Sequence, residues 1–149
     1  MKNLLVLLFL FTNMAIFAQA SIVEQTCSKI INDEGLSSQD AFKFTDISVE
    51  SECLKISIEY SGGCIEPDIK LVNMEKITES NLPQIYLKLI FKNYDSCKAL
   101  IRKDLYFDLS GTRDEITYIK NSGIYLENEE IEKILINIEG WEKKVLFTN

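Results

Sequence analysis

The chain contains no histidine, and this absence removes several kinds of site. Without an imidazole, the chain cannot assemble Ser-His-Asp or Cys-His catalysis, HExxH zinc sites or histidine-based pH switching. Proline and glycine are scarce, at 2 and 6 in 149 residues, while 10% of the residues are aromatic, which excludes a largely disordered chain. The formal net charge of −7 excludes nucleic acid as an expected partner, because phosphates require a basic face.

The N-terminus has the three parts of a secretory signal peptide. Lys2 precedes an apolar run from Leu4 to Phe17 that is broken only by Thr12 and Asn13, and the A-x-A triplet Ala18-Gln19-Ala20 follows. The run is shorter than the roughly 20 residues that cross a bilayer, which disfavours an uncleaved anchor. We therefore predict a signal peptide over residues 1–20, cleaved after Ala20 or, as an alternative, after Ala18.

Cleavage would leave residues 21–149, which we expect to form a single domain without a membrane span. Glu24-Gln25-Thr26 precedes the first cysteine, Cys27, and it lacks the small and apolar residues of a lipid-attachment signal. The mature protein is expected in the periplasm or outside the cell.

Four cysteines follow the predicted leader, at positions 27, 53, 64 and 97. An even number in an exported chain indicates disulfides, and four cysteines allow three pairings. We favour Cys27–Cys53 with Cys64–Cys97, and we expect both bridges to be structural. No C-x-x-C spacing occurs, so neither a redox motif nor a zinc site is predicted. No metal or cofactor is expected.

Residues 21–38 show the period of a short helix. Apolar residues or threonine recur there at steps of three and four, and Gly35 could end the helix. Beyond this segment apolar residues recur at every second position, which is the period of a β-strand. The clearest strand alternates apolar residues at Leu54, Ile56, Ile58 and Tyr60.

Further strands are predicted on either side of this one. Between Phe42 and Val49 the apolar residues shift from even to odd positions, which suggests a strand with a bulge. Segments 69–72, 85–91, 105–109 and 116–118 also alternate, and Pro83 permits only a strand start after it. Residues 85–91 are apolar on both faces, which predicts a central strand.

The last two strands are predicted to form a hairpin across Glu139-Gly140, with Trp141 beginning the final strand. The connections are too short for parallel crossovers that carry helices. We therefore predict a mostly β fold: an antiparallel β-sandwich of about seven or eight strands with one short N-terminal helix, a barrel being the alternative.

Two stretches could bind ligands. Gly62 and Gly63 could cradle a ligand, although a strand end that positions Cys64 for its bridge to Cys97 is favoured. Residues 108–115, Asp108 to Glu115, offer several oxygen atoms that could serve calcium, but a polar turn explains them as well.

Trp141 is the sole tryptophan. We favour a packing role for its side chain, with a recognition role beside Tyr118 and Tyr125 as the alternative. The one enzyme chemistry left open is a pair of carboxylates acting as acid and base, as in glycosidases. No particular pair stands out among the 23 acids, so no catalytic residue is predicted.

The strand patterns resemble a known family. The segments Leu54 to Gly63, Leu105 to Ser110 and Ile136 to Val145 are similar to the C-terminal β-sandwich region of NigD-like exported bacterial proteins. The resemblance implies a fold and an exported location. It carries over no catalytic residue, because the histidine that many relatives place after the Gly-Gly pair is replaced here by Ile65-Glu66-Pro67-Asp68. This chain also lacks room for the family's N-terminal barrel-like domain.

Together these observations favour a non-catalytic binding module, of immunity or inhibitor type, whose partner is a basic exported protein. A carboxylate hydrolase and a passive envelope component are the alternatives. Either a monomer or a dimer is compatible with the predicted edge strands.

Overall fold

The computed structural model describes residues 26–32, 35–38, 40–74, 82–112 and 133–148. These residues form nine strands in two sheets. The strands are β1 (Ser28–Lys29), β2 (Ile31–Asn32), β3 (Lys43–Glu50), β4 (Cys53–Gly62), β5 (Asp68–Asn73), β6 (Gln84–Lys92), β7 (Ala99–Asp108), β8 (Lys133–Ile138) and β9 (Val145–Thr148). One sheet has the order β1-β7-β4-β3 and the other has the order β2-β5-β6-β8-β9.

Strands β3 and β4, which the alternating pattern predicted as two successive strands, pair antiparallel as a hairpin. Every second residue of β4, starting at Leu54, is buried, so one face of this strand lies against the core. The pairing register shifts between Phe44 and Asp46, which confirms the predicted bulge. The turn places Ser51 at a φ of 58°, a left-handed conformation.

Strand β6 is the middle strand of the five-stranded sheet, as its apolar sequence indicated. It begins at Gln84, directly after Pro83, which therefore removes no hydrogen bond from the sheet. It pairs antiparallel with β5 and parallel with β8. The prediction of purely antiparallel pairing is therefore wrong. The chain leaves β6 for β7 in the four-stranded sheet and later returns to the five-stranded sheet as β8.

Both sheets contribute side chains to one hydrophobic core. Its buried members are Ile47, Leu54, Ile56, Ile58, Tyr60, Leu71, Ile85, Leu87, Leu89, Phe91, Phe107, Leu109, Ile134, Ile136, Ile138 and Phe147. Phe91 is fully buried, with its ring centroid 5.1 Å from that of Tyr60 and 5.3 Å from that of Phe42. Aromatic contacts of this kind stabilise a fold beyond the area they bury.

The predicted N-terminal helix is wrong where the structure describes it. Residues 28–32 form two short strands: β1 pairs parallel with β7, and β2 pairs parallel with β5. The chain thus passes from one sheet to the other within five residues. Residues 21–25, 33 and 34 of the predicted helix lie outside the described residues. The one helical turn in the described residues is at 110–112.

The final hairpin forms, but its register differs from the predicted one. Ile136 pairs with Val145 and Ile134 with Phe147, so the connection between β8 and β9 spans residues 139–144. Trp141 lies in this connection and does not begin the last strand. The predicted strand at 116–118 lies outside the described residues.

Two disulfides cross-link the chain, in the pairing that the sequence analysis favoured. Cys27 is bonded to Cys53 with a Cα–Cα distance of 6.2 Å, and Cys64 to Cys97 with 5.9 Å. Two such bonds indicate a location outside the reducing cytoplasm. In the described part of the chain, no helix has the length and apolar character needed to traverse a bilayer.

Candidate binding groove

A groove of about 560 Å³ opens where the start of β3, the middle of β6 and the β8–β9 connection meet. Its lining combines aromatic, lysine and glutamate side chains. The residues that line it are Ser38, Phe42, Lys43, Phe44, Lys88, Leu89, Glu139, Gly140, Trp141, Glu142 and Lys143. Trp141 is the one predicted binding residue that the structure places here, and we call this feature the Trp141 groove.

A tight turn sets the position of Trp141. Its backbone N–H donates to the carbonyl oxygen of Ile138 at 3.0 Å, which closes a turn over Glu139 and Gly140. Gly140 has a φ of +85°, which side chains rarely allow, and a Cβ there would lie 3.4 Å from the Phe44 ring. The glycine therefore lets the connection fold tightly against β3.

The indole of Trp141 is partly buried against the aromatic wall of the groove. Its ring centroid lies 6.1 Å from that of Phe44 in an edge-to-face arrangement. The Nε1 atom is buried and has no hydrogen-bond partner among the described residues. An unpaired buried N–H costs about 1–3 kcal/mol, so a shift of the ring toward an acceptor would be favourable.

The charges around the groove are mixed. The Lys143 ammonium lies 5.7 Å from the centroid of the Trp141 ring, in a cation–π arrangement. Lys88 forms an ion pair with Glu139 at 2.8 Å. Lys43 and Glu142 complete the charged lining. The face of Trp141 therefore already accommodates a cation.

The Gly62-Gly63 pair lies at the Cys64–Cys97 disulfide and does not line the Trp141 groove. The Asp95 carboxylate accepts hydrogen bonds from the backbone N–H groups of Cys64 at 2.6 Å, Ile65 at 2.9 Å and Cys97 at 2.8 Å. The bonds from the backbone, that of Cys97 first, hold the pKa of Asp95 below its usual value. The amides that could have cradled a ligand here are bonded to Asp95.

Gly63 has a conformational reason to be glycine. Its φ is +117°, and a Cβ there would lie 3.2 Å from Cδ1 of Ile101. Cys64, Asp95 and Cys97 also bring potential metal ligands together, but both sulfur atoms belong to the disulfide and offer no thiolate.

Asp108 begins the stretch that could have served calcium. Both of its carboxylate oxygens accept hydrogen bonds from Ser110, from the backbone N–H and the hydroxyl, each at 2.8 Å. The backbone bond from Ser110 is the main reason why the pKa of Asp108 is lowered. Within the described residues this stretch is a polar turn beside a second cavity of about 510 Å³, which Lys29 and Thr112 also line. Residues 113–115 lie outside the described part of the chain.

Asp104 and Tyr60 also have shifted pKa values, Asp104 downward and Tyr60 upward. A hydrogen bond from Ser57 at 2.6 Å, with Lys55 nearby, lowers the pKa of Asp104. Burial is the main cause that raises the pKa of the Tyr60 hydroxyl. Tyr118 and Tyr125, which were expected beside Trp141, lie outside the described residues.

The acidic surplus of the chain does not lie on the described strands and loops. These carry 12 basic and 12 acidic residues, and the remaining residues carry the other 4 of the 16 basic and 11 of the 23 acidic residues. Segment 113–132 alone has six acids and two bases. The described part of the molecule is therefore electrically balanced.

Sequence reasoning missed most of the groove. Phe42 and Phe44 were assigned to a strand but not to a site, and Lys88 was not singled out. The available signal was that Phe42 and Phe44 have the same parity, which puts two aromatic rings on one face of the strand directly before the bulge.

Comparisons with known proteins add a fold and no activity. No family model matches the chain, and no curated protein matches it. Among solved structures, a crystal structure of a protein of unknown function, DUF1344, from Bacteroides vulgatus is similar, with a TM-score of 0.50 and 19% sequence identity. The match covers 83% of this chain and 56% of that chain, so this chain spans little more than half of its neighbour's length. At this identity the likeness concerns the fold alone.

Proposed function

We propose that this chain is an exported, non-catalytic binding module for a basic exported protein, of immunity or inhibitor type. In this proposal its two sheets form a β-sandwich, and the Trp141 groove contacts the partner. We also propose that the chain is related to NigD-like exported proteins. The two-sheet fold is consistent with that relationship.

Export is supported by the sequence of residues 1–20 and by the two disulfides. A signal peptide cleaved after Ala20 would deliver the chain to the periplasm or the exterior, where cysteines oxidise. Mass spectrometry of the intact exported protein tests this step, and the expected N-terminal residue is Ser21. An N-terminus still at Met1 would contradict it.

The Trp141 groove is the observation that carries the binding proposal. Tryptophan beside two phenylalanines provides a rigid aromatic surface of the kind that anchors protein partners. Lys143 already holds its ammonium over the indole ring. A lysine or arginine of a basic partner could take the same position, with Glu142 available as a counter-charge.

The net charge supports the basic character of the partner. Segment 113–132 carries six acids and two bases, and a negative field from such a segment would speed the encounter with a cationic protein. Such an encounter weakens as salt screens the charges.

The alternatives have less support. A glycosidase-type acid needs a raised pKa, whereas the described carboxyl groups with resolved shifts, Asp95, Asp104 and Asp108, all have lowered values. A passive envelope component would not need an aromatic groove.

Because Trp141 is the sole tryptophan, its fluorescence reports directly on the groove. We would titrate the oxidised protein with an oligoarginine peptide that lacks aromatic residues, at low and at high salt. The expected result is a saturable change in Trp141 emission that weakens as salt rises.

An oligoglutamate peptide of the same length is the matched control and is expected to leave the emission unchanged. The Glu142→Lys variant should bind oligoarginine more weakly. An unchanged emission with oligoarginine, or an equal response to both peptides, would overturn the assignment of the groove. A pull-down from exported proteins at low salt would then identify the natural partner.

A further inference from the structure

Two loops at one end of the sheets are joined to each other. Residues 63–67 connect β4 to β5, and residues 93–98 connect β6 to β7. The Cys64–Cys97 disulfide links the two loops covalently, and the Asp95 carboxylate accepts hydrogen bonds from the backbone of both. These bonds hold the loops side by side, and we call residues 63–67 and 93–98 together the cross-linked loops.

The cross-linked loops carry exposed apolar side chains. Ile65 in the first loop is 55% exposed, and Tyr94 in the second is 69% exposed. Leu100, which is 68% exposed, follows the second loop and lies opposite Ser61 where β7 pairs with β4. These are three of the five large hydrophobic residues that are exposed in the described part of the chain. Single exposed apolar residues are ordinary, whereas a group of them at one end of a molecule indicates an interaction surface.

We propose that the cross-linked loops attach this protein to the surface of a lipid membrane, with Ile65 and Tyr94 inserted among the headgroups. Tyrosine is favoured at this depth, because its ring is apolar and its hydroxyl remains in contact with water. The proposal concerns the end of the molecule and does not depend on the Trp141 groove.

The charges beside the loops suit lipid phosphates. Lys98 is exposed next to the disulfide, and Lys92 ends β6 directly before the second loop. Neither lysine forms an ion pair within the ranges that the structure describes. The acid of the first loop, Glu66, is paired with Lys103. Two cations therefore remain available to phosphate groups, and juxtaposed lysines of this kind strengthen attachment to anionic membranes.

The backbone of the loops is prepared for an environment with little water. An unpaired backbone group is costly in lipid. The N–H groups of residues 64, 65 and 97 donate to Asp95, and the N–H of Asp95 donates to Asn93 Oδ1 at 3.2 Å. The N–H of Asn93 donates to Asp40 at 2.7 Å. The loops keep these bonds when they enter the headgroup region, and their fixed conformation lowers the entropy lost on binding.

The size of the surface also favours a membrane over a protein partner. A stable protein interface buries about 800 Å² on each partner, far more than two projecting side chains provide. Shallow insertion of a few apolar side chains together with nearby cations is, by contrast, sufficient for weak and reversible membrane attachment.

Fluorescence from residue 94 tests the insertion. In the double variant Trp141→Phe/Tyr94→Trp, the only tryptophan lies in the cross-linked loops, so the Trp141 groove gives no signal. Addition of vesicles of equimolar phosphatidylcholine and phosphatidylglycerol should shift its emission to the blue, and brominated lipids should quench it.

Trp141→Phe/Leu146→Trp is the matched control for this measurement. Leu146 is 47% exposed, but it pairs with Leu135, which lies beside Gln84 at the start of β6, whereas the second loop follows the end of β6. The emission of this variant should not change with vesicles.

Flotation of the oxidised protein with the same vesicles measures the affinity. Ile65→Ser should weaken binding roughly fivefold through lost apolar burial, and Lys98→Glu should also weaken it. Lys133→Glu makes the same charge change at the start of β8 and should bind as the unaltered protein does. Circular dichroism establishes that each variant folds. The proposal is overturned if the unaltered protein does not float with vesicles, if the emission of residue 94 does not change, or if Lys98→Glu and Lys133→Glu bind equally.

Discussion

Removing the Cys64–Cys97 disulfide should destabilise the protein mainly through its unfolded state. The bond joins residues separated by 33 positions, and the chain-entropy relation gives about 3.7 kcal/mol of stabilisation for a closed loop of this length. Loss of the bond should lower the free energy of unfolding by that amount. For Cys27–Cys53, with a separation of 26, the same relation gives about 3.5 kcal/mol. The two double alanine variants should therefore have nearly equal stability.

Urea unfolding of Cys64→Ala/Cys97→Ala and Cys27→Ala/Cys53→Ala measures both values against the oxidised protein. With a slope of about 2 kcal/mol per molar urea, each midpoint should fall by roughly 1.8 M. The equal loss of stability in the two variants is the sharper part of the prediction, because the two bonds have different surroundings in the folded protein. Asp95 still accepts hydrogen bonds from the backbone of residues 64 and 97, whereas Cys27 is followed only by two strands of two residues each. A difference greater than about 1 kcal/mol would refute an origin in the unfolded state.

Three further predictions concern single residues. The pKa of Asp95 is lower in the folded than in the unfolded protein, so its charged form stabilises the fold above the unfolded pKa. This stabilisation is lost as pH falls through the folded pKa. Asp95→Asn should therefore be less stable at pH 7, and its urea midpoint should fall less on acidification. Gly63→Ala should lose about 1–2 kcal/mol because of its positive φ, whereas Gly111→Ala, with open space around it, should change little; equal thermal midpoints would contradict this. Phe91→Ala should lose about 3–5 kcal/mol by leaving a cavity, while the exposed Leu146→Ala should lose under about 0.5 kcal/mol in the same denaturant assay.

The sequence predicted the strands whose pattern of apolar residues reports burial, on one face or on both. Alternation along β4 and the doubly apolar β6 each report burial directly, so their existence and the central place of β6 followed. The bulge after Phe44 was readable because it breaks the same alternation. Local pattern is sufficient where burial alone decides structure.

Patterns failed where distant contacts decide. Thr26 and Ile30 are spaced as on one face of a helix, but β1 and β2 on either side of Ile30 are extended because β7 and β5 supply their hydrogen bonds. Parallel pairing of β6 with β8 is equally invisible locally, since it depends on where β7 lies. For the same reason the sequence offered Trp141 as a candidate without Phe42 or Lys88, which reach the groove from other strands.

The passage of the chain between the two sheets at residues 28–32 has a mechanical consequence. Tension applied to the chain ahead of Cys27 would pass through the disulfide to Cys53 and from there into β4, which is one of the two inner strands of its sheet. Strands β1 and β2 lie behind that bridge and would carry no load while it is intact. Reduction of this one bond would transfer the pull to two strands of two residues each, so an oxidising environment also determines how much force this end of the molecule withstands.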